Sequence, residues 1–346
     1  MNVNWIAEKF KNFAVLECEG SSKLYKNLAL KIAEDEEMLK LSSNSKKGQP
    51  IPNLLFGAVH YLLLKKSDHQ LCEFYPSIVP NPNMDKNPFP YFKDFCLTNR
   101  EEILLIVKNK LVQTNEVRRC AYLYPIFCYI YQKTEKPLSL IEIGSSAGLQ
   151  LLWDKYSYSY GDNEIYGNKE SLVHLTSEVR NGNIPSDLSN IPPVDYRLGI
   201  DLHISDLTNE EDYLWLKALI WPEHKDRLDN FEQSVMQFKM NPPQLREGDG
   251  VDMLNEYVEK VPKDSVLCIF HTHVANQMPE DIKNEFLQKV DMIGSRRDTF
   301  HVYNNIDDRK LHLDSYINGS KQHRVIGDTD GHGRWFDWNL QSEIPS

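Results

Sequence analysis

The sequence predicts an α/β protein: a mostly parallel sheet flanked by helices, preceded by an all-helical N-terminal domain. Over the first 135 residues apolar positions recur at helical spacing, and no alternating strand pattern emerges. From Lys136-Pro137 onward, short apolar runs alternate with helical segments. That alternation implies parallel strands covered on both faces. The expected domains are therefore residues 1–136 and 137–346.

In the first domain Leu24, Leu28 and Ile32 lie four residues apart, on one helical face. Gly48-Gln-Pro-Ile-Pro52 breaks the chain, and residues 53–64 are apolar almost all round, as a buried helix is. A second break, rich in Pro and Asn, covers 76–90. Residues 92–110 and 114–132 are two more helices, with Thr114 placed to cap the second. Pro125 should kink or interrupt that helix, because proline lacks the N–H and its ring clashes with the preceding turn.

In the second domain the expected strands are Leu138–Ile143, Tyr196–Ile204, Gln244–Glu247, Val266–His271, Thr299–Asn304 and a last one around Trp335–Trp338. Helices fall near 208–219, 226–240, 250–260 and 279–290. Residues 155–194 interrupt this rhythm as an inserted antiparallel hairpin, in which Tyr156, Tyr158 and Tyr160 at period two cover a sheet face.

Lys and Arg number 39 against 50 Asp and Glu, a net charge of −11. That balance argues against duplex nucleic acid or an anionic membrane as a constitutive partner. No apolar run approaches the ~20 residues of a membrane-spanning helix. The six cysteines are scattered without Cys-x-x-Cys spacing, as buried thiols of a reduced, cytoplasmic protein are.

The most informative stretch is Ile141-Glu-Ile-Gly144-Ser-Ser-Ala-Gly148-Leu149. Its Glu-x-Gly-x-x-x-Gly pattern resembles the first motif of class I S-adenosylmethionine-dependent methyltransferases. The resemblance implies a Rossmann-like fold with S-adenosylmethionine as cofactor. Glu142, at the strand tip, would hold a cationic amino group. Gly144, Ser146 and Gly148 would let the backbone turn against the ligand, and free N–H groups at the start of the next helix would meet a carboxylate. Two later stretches look like the following strand ends of that family. In Gly199-Ile-Asp201-Leu, Asp201 would accept from the ribose hydroxyls, unless Asp162 or Glu164 of the insertion does so. In Glu247-Gly-Asp249-Gly, Asp249 would meet the adenine amino group. Both aspartates also suit plain turn or capping roles.

The same turn spells Gly-x-Ser-x-Gly, a nucleophile elbow with Ser146 as nucleophile. Asp249 or Asp264 with His271, His301 or His332 would complete a triad. Against this stands the absence of any strand pattern before Leu138 to carry an oxyanion-hole loop.

Cys268-Ile-Phe-His271-Thr-His273 ends an apolar strand, and ligands gather at the carboxyl ends of such strands. His271 is the expected general base and His273 a substrate contact, both facing the same way. No third ligand has convincing spacing, so no metal is expected. Gln113, Asn115, Glu116 and Arg118 are expected to form a hydrogen-bonding surface for substrate against the Gly-rich turn, the alternative being that Asn115, Glu116, Arg118 and Arg119 are the solvated first turn of the next helix. His332 and Arg334, in Asp330-Gly-His-Gly-Arg-Trp335, are expected to close the pocket, the alternative being an ordinary turn before the last strand.

Beyond these motifs, the chain is similar as a whole to a family of uncharacterised bacterial proteins of about this length, a domain of unknown function. The likeness runs through Gly48-Gln-Pro-Ile-Pro-Asn53, Pro88-Phe-Pro90, Gln113-Thr-Asn-Glu-Val117, Glu142 to Asp154, Gly199-Ile-Asp-Leu202, Trp221-Pro222 and His332-Gly-Arg-Trp335. It implies a bacterial cytoplasmic protein with a methyltransferase-like C-terminal half. The expected reaction is methyl transfer to a small-molecule or protein acceptor, with the helical domain as lid. A serine hydrolase, or a non-catalytic cofactor-binding or scaffold protein, is the alternative.

Overall fold

The computed structural model describes residues 2–66, 68–113, 115–185 and 188–340; the capping role expected of Thr114 lies outside them. Along the chain run α1 (Val3–Leu16), α2 (Lys23–Ile32), α3 (Glu36–Ser42), α4 (Ile51–Lys65), α5 (Phe89–Thr98), α6 (Arg100–Asn109) and α7 (Cys120–Thr134). Next come β1 (Leu138–Ile143), β2 (Ser157–Ser159), β3 (Tyr166–Gly167), β4 (His174–Thr176), β5 (Glu178–Gly182) and β6 (Val194–Asp201). Then follow α8 (Glu210–Ala218), α9 (Lys225–Met240), β7 (Gln244–Glu247), α10 (Gly250–Val258), β8 (Val266–His271) and α11 (Glu280–Gly294). The chain ends with β9 (Thr299–Tyr303), β10 (Leu311–Ile317), β11 (Ser320–Gly327) and β12 (Trp335–Trp338). No helix among the described residues is long and apolar enough to cross a membrane.

The chain forms two compact units: Met1–Thr114 with Thr208–Asp229, and Asn115–Leu207 with Asn230–Ser346. The first is helical. Helix α4 is buried from Ile51 to Leu63 apart from Asn53, which suits its nearly all-apolar sequence. Phe56 of α4 stacks on Tyr25 at 4.3 Å and meets Phe10, Phe13 and Phe92. His60 is satisfied within this core: Nδ1 pairs with the Ala218 carbonyl and Nε2 with Ser77 Oγ. The helix expected over 92–110 is two, divided at Asn99, whose side chain donates back to the Phe95 carbonyl at 2.9 Å. Such local side-chain bonding competes with helix continuation.

In the second unit a seven-stranded sheet has the order β11-β10-β9-β8-β1-β6-β7. The five strands from β9 to β7 are parallel, whereas β10 and β11 run antiparallel to their neighbours. On one face Ile141, Ile143, Leu198, Ile200, Leu267 and Ile269 form a core with Leu254 of α10 and Phe286 and Val290 of α11. On the other, Phe127 of α7 lies 5.5 Å from Phe270 and 4.7 Å from Trp153. The division thus falls at 114/115 rather than 136/137, because α7 is a covering layer of the sheet.

Pro125 does not break α7. The carbonyl it deprives of a donor, that of Ala121, accepts instead from the Tyr160 hydroxyl at 2.8 Å. Tyr156 and Tyr158 are fully buried too, and donate to the carbonyls of Leu149 and Trp153. The insertion they open is not a simple hairpin. Strand β2 pairs antiparallel with β3 but parallel with β4, and β5 pairs parallel with β12.

Candidate functional site

From β1 the chain passes to β6 and β7 on one side, then returns to β8 and β9 on the other. The order reverses between β1 and β8. In open α/β sheets the crevice beyond the carboxyl ends at such a point is where ligands bind. Here those ends carry Glu142 and Ile143 on β1, Asp201 on β6, and His271 with the following Thr272 and His273 on β8.

Side chains alternate along a strand, so Glu142 leaves the Ile141/Ile143 core and lies on the α7 side. It is 2% exposed, and its Oε2 has no hydrogen-bond partner among the described residues. Burial holds its carboxyl well above the usual range; the nearby Asp201 carboxylate adds to this and the Arg119 guanidinium opposes it.

The turn after β1 is closed by its own protein. The N–H groups of Gly144 and Ser145 donate to the Ile200 carbonyl, and that of Gly148 to Ser145. Ser146 N–H donates to Asp201 Oδ2 at 2.7 Å, and Asp201 Oδ1 takes the N–H of His203 at 3.0 Å. Asn115 bridges the turn: its Nδ2 donates to the Ser145 carbonyl at 3.0 Å, and its Oδ1 accepts from Leu149 N–H at 2.9 Å. The next segment, Leu149–Lys155, is a 3-10 helix kinked at Leu152, not the expected α-helix. Gly144 and Gly148 have φ of 73° and 72°. A Cβ on Gly144 would collide with Val274, and one on Gly148 would meet Leu245 at 2.7 Å, so both glycines answer to protein packing. Gly199 is explained likewise: a Cβ there would meet Ser145 Oγ at 2.5 Å.

Opposite lies Arg119, at the end of the 3-10 turn Val117–Arg119. Its Nε donates to the Gly331 carbonyl at 3.0 Å, and its Nη1 to the carbonyl and hydroxyl of Thr272, both at 3.3 Å. The Thr272 hydroxyl donates on to Gln150 Oε1. His273 has a φ of 57°, a strained conformation for this residue type. Its N–H donates to Asn304 Oδ1 at 2.7 Å. Its Nε2 is buried without a partner among the described residues. Burial lowers its pKa to about 3, helped by Arg119 and His332 and opposed by Asp330.

The two histidines do not face the same way. His271 is fully buried on the opposite side of the sheet, beside Phe286 of α11, His301 and Tyr303. Neither of its ring nitrogens has a partner among the described residues, and burial alone lowers its pKa to about 3. The left-handed backbone of His273 turns that residue out of the strand's alternation. The expected base therefore does not share the crevice with Glu142, whereas the expected substrate contact lies by Arg119.

Of the other expected residues, Gln113 belongs to the helical unit. Glu116 is buried; it caps the 3-10 turn through Arg118 N–H, and its Oε2 lies 3.4 Å from His332 Nδ1. A Cβ on Gly333 would meet the Arg118 carbonyl at 2.6 Å, and the Arg118 Nε is buried without a partner among the described residues. Arg334 is an exposed side chain that grips Asp330 through Nε at 3.0 Å and Nη2 at 2.7 Å. Burial raises the Asp330 pKa, but Arg334 and the N–H groups of Arg334 and His332 outweigh it and hold the group at about 2. Asp249 is exposed and caps α10, accepting from Val251 and Asp252 N–H. Asp162 is exposed and bonds locally to Tyr166 and Glu164. Ser146 has a φ of 51°, yet its Oγ has no hydrogen-bond partner and no histidine is bonded to it among the described residues.

Sequence reasoning did not single out Arg119, Gln150, Thr272 or Asn304. Arg119 stood beside Arg118, and nothing in the sequence told which of the two was buried. Thr272 stood unremarked between the two histidines.

A family model described as "Uncharacterized protein conserved in bacteria (DUF2332)" matches residues 7–338. No curated protein and no solved structure matches the chain.

Proposed function

The chain belongs to this bacterial family, and from its own residues we propose an S-adenosylmethionine-dependent methyltransferase with a Rossmann-like sheet, acting on a small-molecule or protein acceptor. The strand order β7-β6-β1-β8-β9 supports the fold reading, because doubly wound nucleotide-binding sheets run 3-2-1-4-5 in the same sense. The carrying observation is Glu142: a buried carboxyl with an unpartnered oxygen at the switch point, beside a second carboxylate. A buried acid without a partner calls for a cation, and the cofactor brings both an ammonium and a sulfonium group.

The fit is one-sided. Glu142 suits the ammonium. The turn does not suit the carboxylate, because five of its N–H groups already have protein acceptors. Asp201 accepts from Ser146 N–H of the turn with one oxygen and from His203 N–H with the other, so the ribose role expected of it rests on its remaining lone pairs. When bound, the cofactor supplies an electrophilic methyl group. The chain's part is to fix the donor, align an acceptor and exclude water.

The test is calorimetric titration with S-adenosylmethionine and S-adenosylhomocysteine, in the wild type and in Glu142→Gln. Binding that weakens about tenfold or more in the variant supports the reading. A folded wild type that binds neither ligand overturns it. Labelling by a fluorophosphonate that disappears in Ser146→Ala would favour the hydrolase, for which the positive φ of Ser146 is the one supporting observation.

A further inference from the structure

The crevice has two chemically different walls. The β1/β6 wall presents acceptors, Glu142 and Asp201. The other wall, from the Val117–Arg119 turn and the end of β8, presents donors. The Arg119 guanidinium is locked in place by Gly331 and Thr272 through Nε and Nη1, and its Nη2 makes no hydrogen bond among the described residues. Beside it His273 Nδ1 lies 3.4 Å from Asn305 Nδ2. An amide nitrogen is only a donor, so Nδ1 accepts and the ring proton sits on Nε2. That Nε2–H is the buried atom without a partner.

We propose that Arg119 and His273 form a carboxylate-recognition subsite in this crevice. The inference rests on the crevice being the reaction site and goes beyond that reading by naming the chemistry of its second wall. One guanidinium and one neutral N–H match a single negative charge. A dianionic phosphate would face Glu142 and Asp201 with only one cation to balance it. The low pKa of His273 keeps the ring neutral, a donor through Nε2 and not a second cation. The strained φ of His273, fixed by the bond from its N–H to Asn304 Oδ1, holds Nε2 on this wall. The carboxylate has two possible sources, the cofactor's own methionine end or the acceptor.

The test uses the full chain with nitrogen-15-labelled histidine, His273 being assigned by its loss in His273→Gln. The expected result is a neutral Nε2–H tautomer whose Nε2 resonance moves when S-adenosylhomocysteine or acetate is added. If S-adenosylhomocysteine moves it, 5′-methylthioadenosine does not, and acetate then adds nothing, the cofactor supplies the carboxylate. If acetate still moves it with S-adenosylhomocysteine bound, the acceptor does. An Nδ1–H tautomer, or no movement with either carboxylate, overturns the proposal. So does a shift that survives undiminished in Arg119→Gln. Should Arg119→Gln not fold, Arg119→Lys keeps the charge but not the fork, and acetate affinity should drop about tenfold. The acetate arm needs no cofactor, so failure here is distinguishable from failure of the methyltransferase reading.

Discussion

Asp201, at the carboxyl end of β6, accepts the backbone N–H of Ser146 at 2.7 Å and so ties the tip of one strand to the turn leaving its neighbour. Its other oxygen takes His203 N–H at 3.0 Å. The residue that sequence pattern assigns to a ribose is thus a brace for the Gly-rich turn.

Asp201→Asn keeps one acceptor oxygen and turns an NH₂ group toward a backbone donor. Urea unfolding should show a loss of about 1–3 kcal/mol, the cost of a buried donor left unsatisfied. A role confined to ligand binding predicts unchanged stability.

Glu142 gives a pH signature of the opposite kind. Its folded pKa lies above the unfolded value of about 4.3. Below that value both states hold the proton. As pH rises the unfolded chain ionises first, so the group's contribution is lost until the folded pKa is reached. Glu142→Gln should therefore match the wild type near pH 4 and be the more stable at pH 7. The gap is about 1.4 kcal/mol for each unit of raised pKa. Thermal melts across that range check it.

His271→Phe should leave S-adenosylhomocysteine affinity unchanged, because the ring lies with Phe286, His301 and Tyr303 on the far face. Replacing two unpartnered buried nitrogens should leave unfolding free energy unchanged or higher by about 1 kcal/mol. Loss of binding in a folded variant would restore His271 to the site.

Asp330 has a folded pKa of about 2, below the unfolded value of about 3.9. Its stabilisation is present above pH 4 and disappears as pH falls through the folded value. Most of it should come from the His332 and Arg334 N–H groups, since solvent screens the exposed Arg334 side chain. Acid titration of Asp330→Asn should show a shallower loss of stability between pH 4 and 2 than the wild type.

Strands β1, β7, β8 and β12 were legible because apolar runs between turn residues are short-range signals. Strands β10 and β11 were not. Their sequences mix His, Asp and Ser into buried positions, as in Leu311–Ile317, and so hide the alternation. The Asn318-Gly319 turn that joins them, with φ of 50° and 75°, was the available clue. The switch-point acids were visible as motif residues. Asn115 was visible too, as a residue expected against the Gly-rich turn, which it bridges; Arg119 was not, because it reaches the site from a segment remote in sequence, and that placement is a property of packing. His271 and His273 show the same limit: period two predicts a shared face only while the backbone stays extended, and His273 leaves the strand.

Cofactor binding at Glu142 can be followed by counting protons. Burial raises the Glu142 pKa, and the cofactor's ammonium group would lower it again, so a proton held by the carboxyl leaves on binding. Calorimetry of S-adenosylmethionine binding in buffers of different ionisation enthalpy measures that release. Net proton release should rise as pH falls below the raised pKa of Glu142 and be absent in Glu142→Gln. Binding without proton release, or with the same release in the variant, would contradict cofactor binding at Glu142.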